Sequence, residues 1–114
     1  VIYADNTGAD VEAYIQIYNA AGFLMQVEAD WIMRVIHNAR KPVMTIKPLA
    51  GGQLRPYQGL SFVWNTIRDQ DMVAVGTLTP REAEECIELS LSILEGRRSQ
   101  VELQETRSKG TVKV

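Results

Sequence analysis

The sequence predicts an α/β fold built from parallel βα units. Short segments rich in β-branched and aromatic residues alternate along the chain with longer amphipathic segments. Equivalent points in three of the short segments, Ile15, Met44 and Val73, recur at intervals of 29 residues. Because no hairpin signal joins these segments, each strand is expected to run parallel to the next through a right-handed crossover. This order fits either a segment of a βα barrel or part of a doubly wound sheet.

The predicted strands cover residues 13–18, 43–47 and 72–76. The first reads Ala-Tyr-Ile-Gln-Ile-Tyr and alternates in polarity, as a half-buried strand does. The second is followed at once by Pro48, which cannot donate to a strand ladder. Residues 1–12 are interpreted as the end of a preceding helix followed by a turn, because an apolar run leads into Asp-Asn-Thr-Gly.

Two helices are predicted between the strands, over residues 27–40 and 57–68. Each has apolar residues at helical spacing, and Pro42 ends the first. The positions expected to face the core are Val27, Trp31, Ile32, Val35, Ile36 and Ala39 in the first helix, and Leu60, Val63, Trp64 and Ile67 in the second.

A last helix is predicted to begin immediately after Thr79. Thr79 and Glu82 form a capping box, and Pro80 occupies the first helical position. Gly96 is the expected end of this helix. Residues 1–96 would then form the βα units, and residues 97–114 a polar, locally basic tail that is extended or poorly ordered. The apolar face of this helix is expected to comprise Ala83, Ile87, Ser90, Leu91 and Leu94.

Composition excludes several classes of protein. A chain of 114 residues with 46% apolar content suits one domain or part of one, and its net charge of −2 excludes nucleic-acid binding through bulk charge. The lone Cys86 excludes an internal disulfide framework. No membrane-length apolar run or signal peptide occurs, so a cytoplasmic location is expected. The chain begins at Val1 rather than methionine, which predicts that it is the later part of something larger.

Candidate ligand-binding residues lie where the predicted strands end, because βα folds bind ligands at the carboxyl ends of their strands. Lys47 is the sharpest candidate, since it places a cation beside the glycine-bearing loop 49–52. The alternative is that its side chain simply extends into solvent. The loop 76–79 opens a helix and could hold an anion, or Thr79 could serve only as a cap. His37 and Cys86 have no second histidine or cysteine with which to form a metal site.

The chain resembles the C-terminal part of the aldo-keto reductase superfamily, whose fold is a (βα)8 barrel. Three segments carry the resemblance: residues 14–19, the run Lys47-Pro48-Leu49-Ala50-Gly51-Gly52 with the strand before it, and residues 75–80 with Glu85. They would be strands six, seven and eight of that barrel with their loops, which makes this chain a partial TIM barrel. The resemblance implies an NADP(H) or NAD(H) cofactor, a carbonyl or alcohol substrate in the full-length protein, and the N-terminal remainder of the barrel as partner.

The resemblance also implies a set of cofactor-binding residues. Gln16 or Asn19 would contact the nicotinamide amide, the loop after Lys47 would wrap the pyrophosphate, and the loop 76–79 would hold the adenosine phosphate. The full set is Gln16, Asn19, Lys47, Pro48, Leu49, Ala50, Gly51, Gly76, Thr77, Leu78 and Thr79.

The sequence departs from the family pattern at four positions. The tyrosine that stacks on the nicotinamide falls at Ile46, the serine after it at Lys47, the lysine before the strand-eight serine at Gly76, and an arginine at Glu82. No residue matches the family's catalytic aspartate, tyrosine, lysine and histidine. Three hypotheses therefore remain open: a C-terminal fragment of a nicotinamide-dependent oxidoreductase, a non-catalytic anion- or phosphate-binding barrel relative, and a partial barrel that self-associates.

Overall fold

The structure, a computed structural model, describes the backbone of residues 1–108 and the side chains of residues 1–97. A three-stranded parallel sheet lies at its centre, with the strands in the order β1 (Tyr14–Ile17), β2 (Val43–Ile46) and β3 (Met72–Ala74). The predicted parallel βα organisation is confirmed. Each strand is slightly shorter than predicted: β1 by one residue at each end, β2 by its last residue and β3 by its last two.

The helices are α1 (Ile2–Thr7), α2 (Ala29–Asn38), α3 (Pro56–Thr66) and α4 (Pro80–Ser108), with a short 3-10 turn at Ala50–Gly52. The predicted helix end near the N-terminus is α1, which Gly8 closes in the left-handed conformation. No helix within residues 1–108 is long and apolar enough to cross a membrane.

One face of the sheet carries the hydrophobic core. Side chains alternate along a strand, so Tyr14, Tyr18 and Val43 point to the same side. They pack in a single buried cluster with Ile32 and Ile36 of α2 and with Val63 and Ile67 near α3. The two crossover helices thus cover the same face, and the strand order does not reverse. This arrangement occurs both in consecutive units of a βα barrel and in one half of a doubly wound sheet.

The other face of the sheet is apolar and uncovered by the described residues. The strand register aligns Ile15 with Met44 and Met72, and Ile17 with Ile46 and Ala74. Ile15 is 67% exposed and Met72 is 36% exposed. We call this surface the inner face, and its side chains are those of Ile15, Ile17, Met44, Ile46, Met72 and Ala74.

The predicted core face of α2 was partly wrong. Ile32, Ile36 and Ala39 are buried as predicted, but Trp31 is 52% exposed and Val27 is 44% exposed. Val27 lies before the first residue of α2, and the helix packs on the sheet through Ile32 and Ile36. The core residues of α3 were predicted better, since Leu60, Val63 and Ile67 are buried.

The predicted end of the last helix at Gly96 was also wrong. Gly96 does not adopt the left-handed conformation of a C-cap, and α4 continues to Ser108. The residues that follow, including Val-Glu-Leu-Gln-Glu, propagate a helix well enough to carry it through one glycine. The prediction of an unstructured tail was therefore wrong for residues 97–108, and residues 109–114 lie outside the described residues. The predicted face of α4 shifts too, because Cys86 is buried while Ile87 and Leu91 are exposed.

Gly96→Ala is expected to stabilise the protein by about 0.5–1 kcal/mol. A Cβ atom at this helical position meets no atom within 4 Å, so alanine adds helix propensity without a clash. Urea unfolding followed by tryptophan fluorescence measures the difference. A loss of stability would instead show that Gly96 ends the helix in the left-handed conformation.

A buried ion pair joins the strand starts at the amino end of the sheet. Asp71 is 5% exposed, and its carboxylate accepts hydrogen bonds from the side chain of Arg68, with Nη2–Oδ1 at 2.9 Å, and from the Val43 N–H at 2.9 Å. Arg68 also donates to the carbonyls of Ala39 and Lys41, at 2.7 and 3.1 Å. The ion pair thereby holds the first residues of β2 and β3 beside the C-terminal end of α2.

The stability of the protein is expected to fall as the pH drops below about 4. Burial opposes the ionisation of Asp71, but hydrogen bonds from the Arg68 side chain and from the backbone N–H groups of Val43 and Arg68 outweigh it and lower its pKa. A carboxyl whose folded pKa is lowered stabilises the fold above its unfolded pKa, and this contribution is lost as the pH falls through the folded value. The free energy of unfolding, measured at several pH values between 7 and 2, should fall less steeply with decreasing pH for Asp71→Asn than for the wild type. An equal dependence on pH in the two proteins would contradict the stabilising role of the Asp71 carboxylate.

Candidate functional site

A cleft of about 800 Å³ opens at the carboxyl end of the sheet, between the loop after β2 and the loop after β3. The start of α3 at Pro56 and the first turns of α4 close its sides. Among the residues predicted to bind a cofactor, seven lie around this one cleft: Lys47, Pro48, Leu49, Gly51, Gly76, Thr77 and Leu78.

The loop after β2 turns sharply because several of its residues adopt the left-handed conformation. Lys47 has a φ of 60° and Ala50 a φ of 55°, and residues other than glycine rarely adopt such values. Gly51 follows with a φ of 65°, where no side chain opposes the turn. The strain at Lys47 ends β2 and directs the chain along the wall of the cleft. Strained residues of this kind cluster at functional sites.

Lys47→Gly is expected to stabilise the fold by about 0.5–1 kcal/mol. Glycine removes the strain of the left-handed backbone, and this gain exceeds the cost of the greater conformational entropy that glycine gives the unfolded chain. Lys47→Gln keeps a Cβ atom and should leave the stability within about 0.5 kcal/mol of the wild type. Urea unfolding of the three proteins makes the comparison. A glycine variant less stable than the glutamine variant would contradict the left-handed geometry at this position.

Two close approaches hold the loop after β2 in place. A Cβ atom on Gly51 would lie 2.8 Å from the ring of Phe23, so the loop after β1 packs directly against it. A Cβ atom on Gly59 would lie 2.7 Å from the carbonyl oxygen of Pro48 and 2.8 Å from Leu49, so the first turns of α3 pack against the loop from below. The cleft wall therefore packs closely at both glycines, and the contact at Gly59 is with a backbone atom that cannot rotate away.

The first turn of α4 is capped by its own side chains, as predicted. The Glu82 N–H donates to Thr79 Oγ1 at 3.1 Å, and Glu82 Oε2 accepts from the backbone N–H groups of Leu78, at 2.7 Å, and Thr79, at 3.2 Å. A helix N-terminus attracts anions through such free N–H groups. Here the carboxylate of Glu82 accepts the N–H groups of Leu78 and Thr79, and Thr79 acts as the predicted cap. The contact of Thr79 with a cofactor phosphate stays a prediction.

The charges in the cleft lining are unequal. Lys47 supplies one cation, while α4 contributes the carboxylates of Glu82 and Glu85. Arg81 pairs with Glu85 at 3.5 Å but does not line the cleft. Cys86 lies at the base, where burial, with the added effect of the Glu82 and Glu85 charges, raises its pKa and keeps it a neutral thiol. The lining therefore has an anion-attracting side at Lys47 and an anion-repelling side at α4.

Four of the predicted residues lie outside the cleft lining: Gln16, Asn19, Ala50 and Thr79. Asn19 is fully buried. Its side-chain Nδ2 donates to the Phe23 carbonyl at 3.0 Å, and its Oδ1 accepts from the Phe23 N–H at 2.8 Å, so this side chain stabilises its own loop. Gln16 lies on the helix side of the sheet and donates to the carbonyl of Ile17 at 2.9 Å. The structure thus gives both candidate amides an intramolecular role. Ala50 is buried beneath the loop.

Several residues of the cleft lining are absent from the predicted cofactor-binding set. Glu85 and Cys86 face the cleft because they lie one turn after the capped start of α4, and Pro56 reaches it from the start of α3. Helical spacing from Glu82 could have identified both α4 residues, since positions three and four apart share a face. Among the described side chains, no cluster of three or more His, Cys, Asp or Glu residues could hold a metal ion.

Comparison of this chain with protein-family models, with curated proteins and with solved structures found no match. Its function is therefore argued from the cleft itself.

Proposed function

We propose that this chain is the C-terminal part of an aldo-keto reductase-like (βα)8 barrel and that its cleft binds the phosphate-bearing part of a nicotinamide cofactor. The observation that carries the proposal is the convergence of seven predicted cofactor-binding residues on one cleft at the carboxyl end of a parallel sheet. The single covered face and the unreversed strand order fit a barrel segment, here about strands six to eight.

Lys47 is the residue that would bind the cofactor pyrophosphate. It is exposed at the end of β2, and its backbone is held by strain in a conformation that places it on the cleft wall. Gly52 has open space where a side chain would lie, which leaves its backbone open to close approach by a phosphate. An ammonium group bonded to a phosphate oxygen forms a charge-assisted hydrogen bond, which is stronger than a neutral one.

The described residues supply no catalytic group for hydride transfer or for protonation of a carbonyl oxygen. In the full-length enzyme those groups would come from the N-terminal part of the barrel, which would also cover the inner face of the sheet. The substrate would be a small carbonyl compound or alcohol, and the parent protein would act in the cytoplasm, where its single cysteine stays reduced. The 114-residue chain alone is expected to be inactive.

Calorimetric titration of the full 114-residue chain with NADH and NADPH tests the proposal. Binding of at least one nucleotide is expected, and Lys47→Gln should weaken it ~10-fold through loss of a charge-assisted bond. The matched control is Lys41→Gln, which removes the same charge at the opposite end of the sheet and should bind as the wild type. Circular dichroism establishes that each variant is folded. The absence of binding to either nucleotide would overturn the cofactor assignment.

A second candidate function is anion binding by a barrel relative without redox chemistry. Ile46 favours it, because this apolar residue lines the cleft where the family places a ring that stacks on the nicotinamide. Titration with inorganic pyrophosphate, ADP and NADH separates the two functions. Equal affinities per site would support simple anion binding, whereas tighter binding of NADH than ADP would show that the nicotinamide half is recognised.

The inner face supports a third reading of the isolated chain, in which it self-associates. An apolar sheet face with Ile15 67% exposed lies beside open strand edges in the described part of the chain. Light scattering across a concentration series tests this reading. A monomer at all concentrations would contradict self-association and leave the remainder of the barrel as the proposed cover.

A further inference from the structure

We infer that Phe23, in the loop after β1, is a positioning residue that holds the loop after β2 in the conformation in which Lys47 lies on the cleft wall. This inference rests on the proposed function, since it concerns the loop that is proposed to bind phosphate. Phe23 does not line the cleft, whereas Gly51, against which its ring packs, does. Phe23 therefore acts on a ligand only through the neighbouring loop.

The backbone of Phe23 is fixed to the end of β1. Asn19 follows that strand closely and is fully buried. Its Oδ1 accepts from the Phe23 N–H at 2.8 Å, and its Nδ2 donates to the Phe23 carbonyl at 3.0 Å. A buried amide that makes both of these bonds has little freedom to move. Phe23 is thus held at a set position relative to the sheet.

The outer edge of the Phe23 ring packs against Gly51. A Cβ atom on Gly51 would lie 2.8 Å from Cζ of that ring and 3.1 Å from Cε2. Among the residues whose side chains the structure describes, the buried core cluster and the side chains packed against it do not include Phe23. The ring therefore packs on the neighbouring loop rather than in the core.

Hydrogen bonds within the loop connect Gly51 to Lys47. The Ala50 N–H donates to the Lys47 carbonyl at 3.2 Å, and the Gly52 N–H donates to the Leu49 carbonyl at 3.1 Å. Lys47 has the left-handed φ of 60°, and such a conformation persists only where the surrounding structure holds it. The contact with Phe23 is part of that support, so its loss would let the loop relax and would move Lys47 away from a bound phosphate.

Phe23→Leu tests the inference, because leucine keeps an apolar side chain but lacks the Cζ atom nearest to Gly51. Amide exchange in residues 50–54 without ligand is expected to become ~10-fold faster, with exchange in β2 unchanged. The dissociation constants of inorganic pyrophosphate and NADH, measured by calorimetric titration, are expected to rise about 3- to 10-fold.

Phe62→Leu is the matched control. The Phe62 ring is also partly buried, but it packs on the core and lies 5.2 Å from the ring of Tyr18. This variant is expected to lower the free energy of unfolding while leaving the loop exchange and both dissociation constants within about 2-fold of the wild type. A residue with a merely structural role would give this result at position 23 as well.

A double-mutant cycle with Gly51→Ala tests the contact itself. In the wild type the added methyl group meets the Phe23 ring, whereas in Phe23→Leu it has room. Gly51→Ala is therefore expected to accelerate loop exchange several-fold less in the Phe23→Leu background than in the wild type, because contacting residues are not additive.

Each outcome decides between the claims. Faster loop exchange and weaker binding in Phe23→Leu but not in Phe62→Leu, with a non-additive cycle, support the inference. Unchanged or additive loop exchange, or faster exchange with unchanged dissociation constants, overturns it and leaves the proposed function standing. Wild-type binding of pyrophosphate without NADH overturns the cofactor assignment alone. Failure of the wild type to bind either ligand overturns the proposed function, and the inference with it.

Discussion

Asp71→Ala is expected to destabilise the protein by about 3–5 kcal/mol, because it leaves the partly buried Arg68 without its counter-ion. The Asp71 carboxylate is fully enclosed and accepts from the Arg68 guanidinium at 2.9 and 3.0 Å and from the Val43 N–H at 2.9 Å. Removing it leaves the Val43 N–H unsatisfied at the first residue of β2 as well. Since small domains have only about 5–15 kcal/mol of stability, most of it would be lost.

Asp69→Ala provides the control for Asp71→Ala. Asp69 lies two residues away and also pairs with an arginine, Arg97, but its side chain is 93% exposed. Exposed ion pairs contribute less than about 1 kcal/mol, so this variant should remain close to the wild type. Urea unfolding of both variants makes the comparison. Similar losses in the two variants would show that burial of the Arg68–Asp71 pair does not hold the strand entries together.

Gly59→Ala is expected to destabilise the protein by about 2 kcal/mol even though it places alanine in a helix. Alanine would gain about 1 kcal/mol in helix propensity. Its Cβ atom, however, would lie 2.7 Å from the carbonyl oxygen of Pro48, which is backbone and cannot rotate away. Relief of the clash moves either α3 or the cleft loop, and the overpacking cost exceeds the propensity gain.

The same substitution should also weaken nucleotide binding, because the loop it displaces carries Lys47 and Leu49 on the cleft wall. Gly96→Ala is the matched control, since it makes the same chemical change in a helix with open space around the new methyl group. The two variants should change stability in opposite directions. A Gly59→Ala protein at least as stable as the wild type would contradict the close approach of α3 to the loop.

The sheet was predictable because the strands carry their own signals. β-branched and aromatic runs at equal spacing, separated by amphipathic segments, leave little choice but parallel βα units, and the start of α4 was fixed by the local chemistry of Thr79, Pro80 and Glu82. The core face of α2 was not fully predictable. Periodicity identifies a broad apolar stripe that includes both Trp31 and Ile32, but only the packing against the sheet decides which of them is its centre.

The loops of the cleft were predicted from the sequence, but the hydrogen bonds of their polar side chains were not. Asn19 and Thr79 are polar residues in loops at the right end of the sheet, yet both are consumed by hydrogen bonds to the nearby backbone. A sequence shows that an amide or a hydroxyl is near a site, but not whether it is free. Gly96 illustrates the same limit, since a glycine ends a helix only when its backbone turns left-handed, and the residues beyond it favoured continuation.

Hydrogen exchange of the full chain with and without NADH locates the bound nucleotide on the fold. Slower amide exchange on binding is expected in residues 47–52 and 76–79, the two loops that form the cleft, with the amino end of the sheet unchanged. Protection confined to other segments, or no change in any segment at saturating NADH, would contradict the assignment of this cleft as the cofactor site.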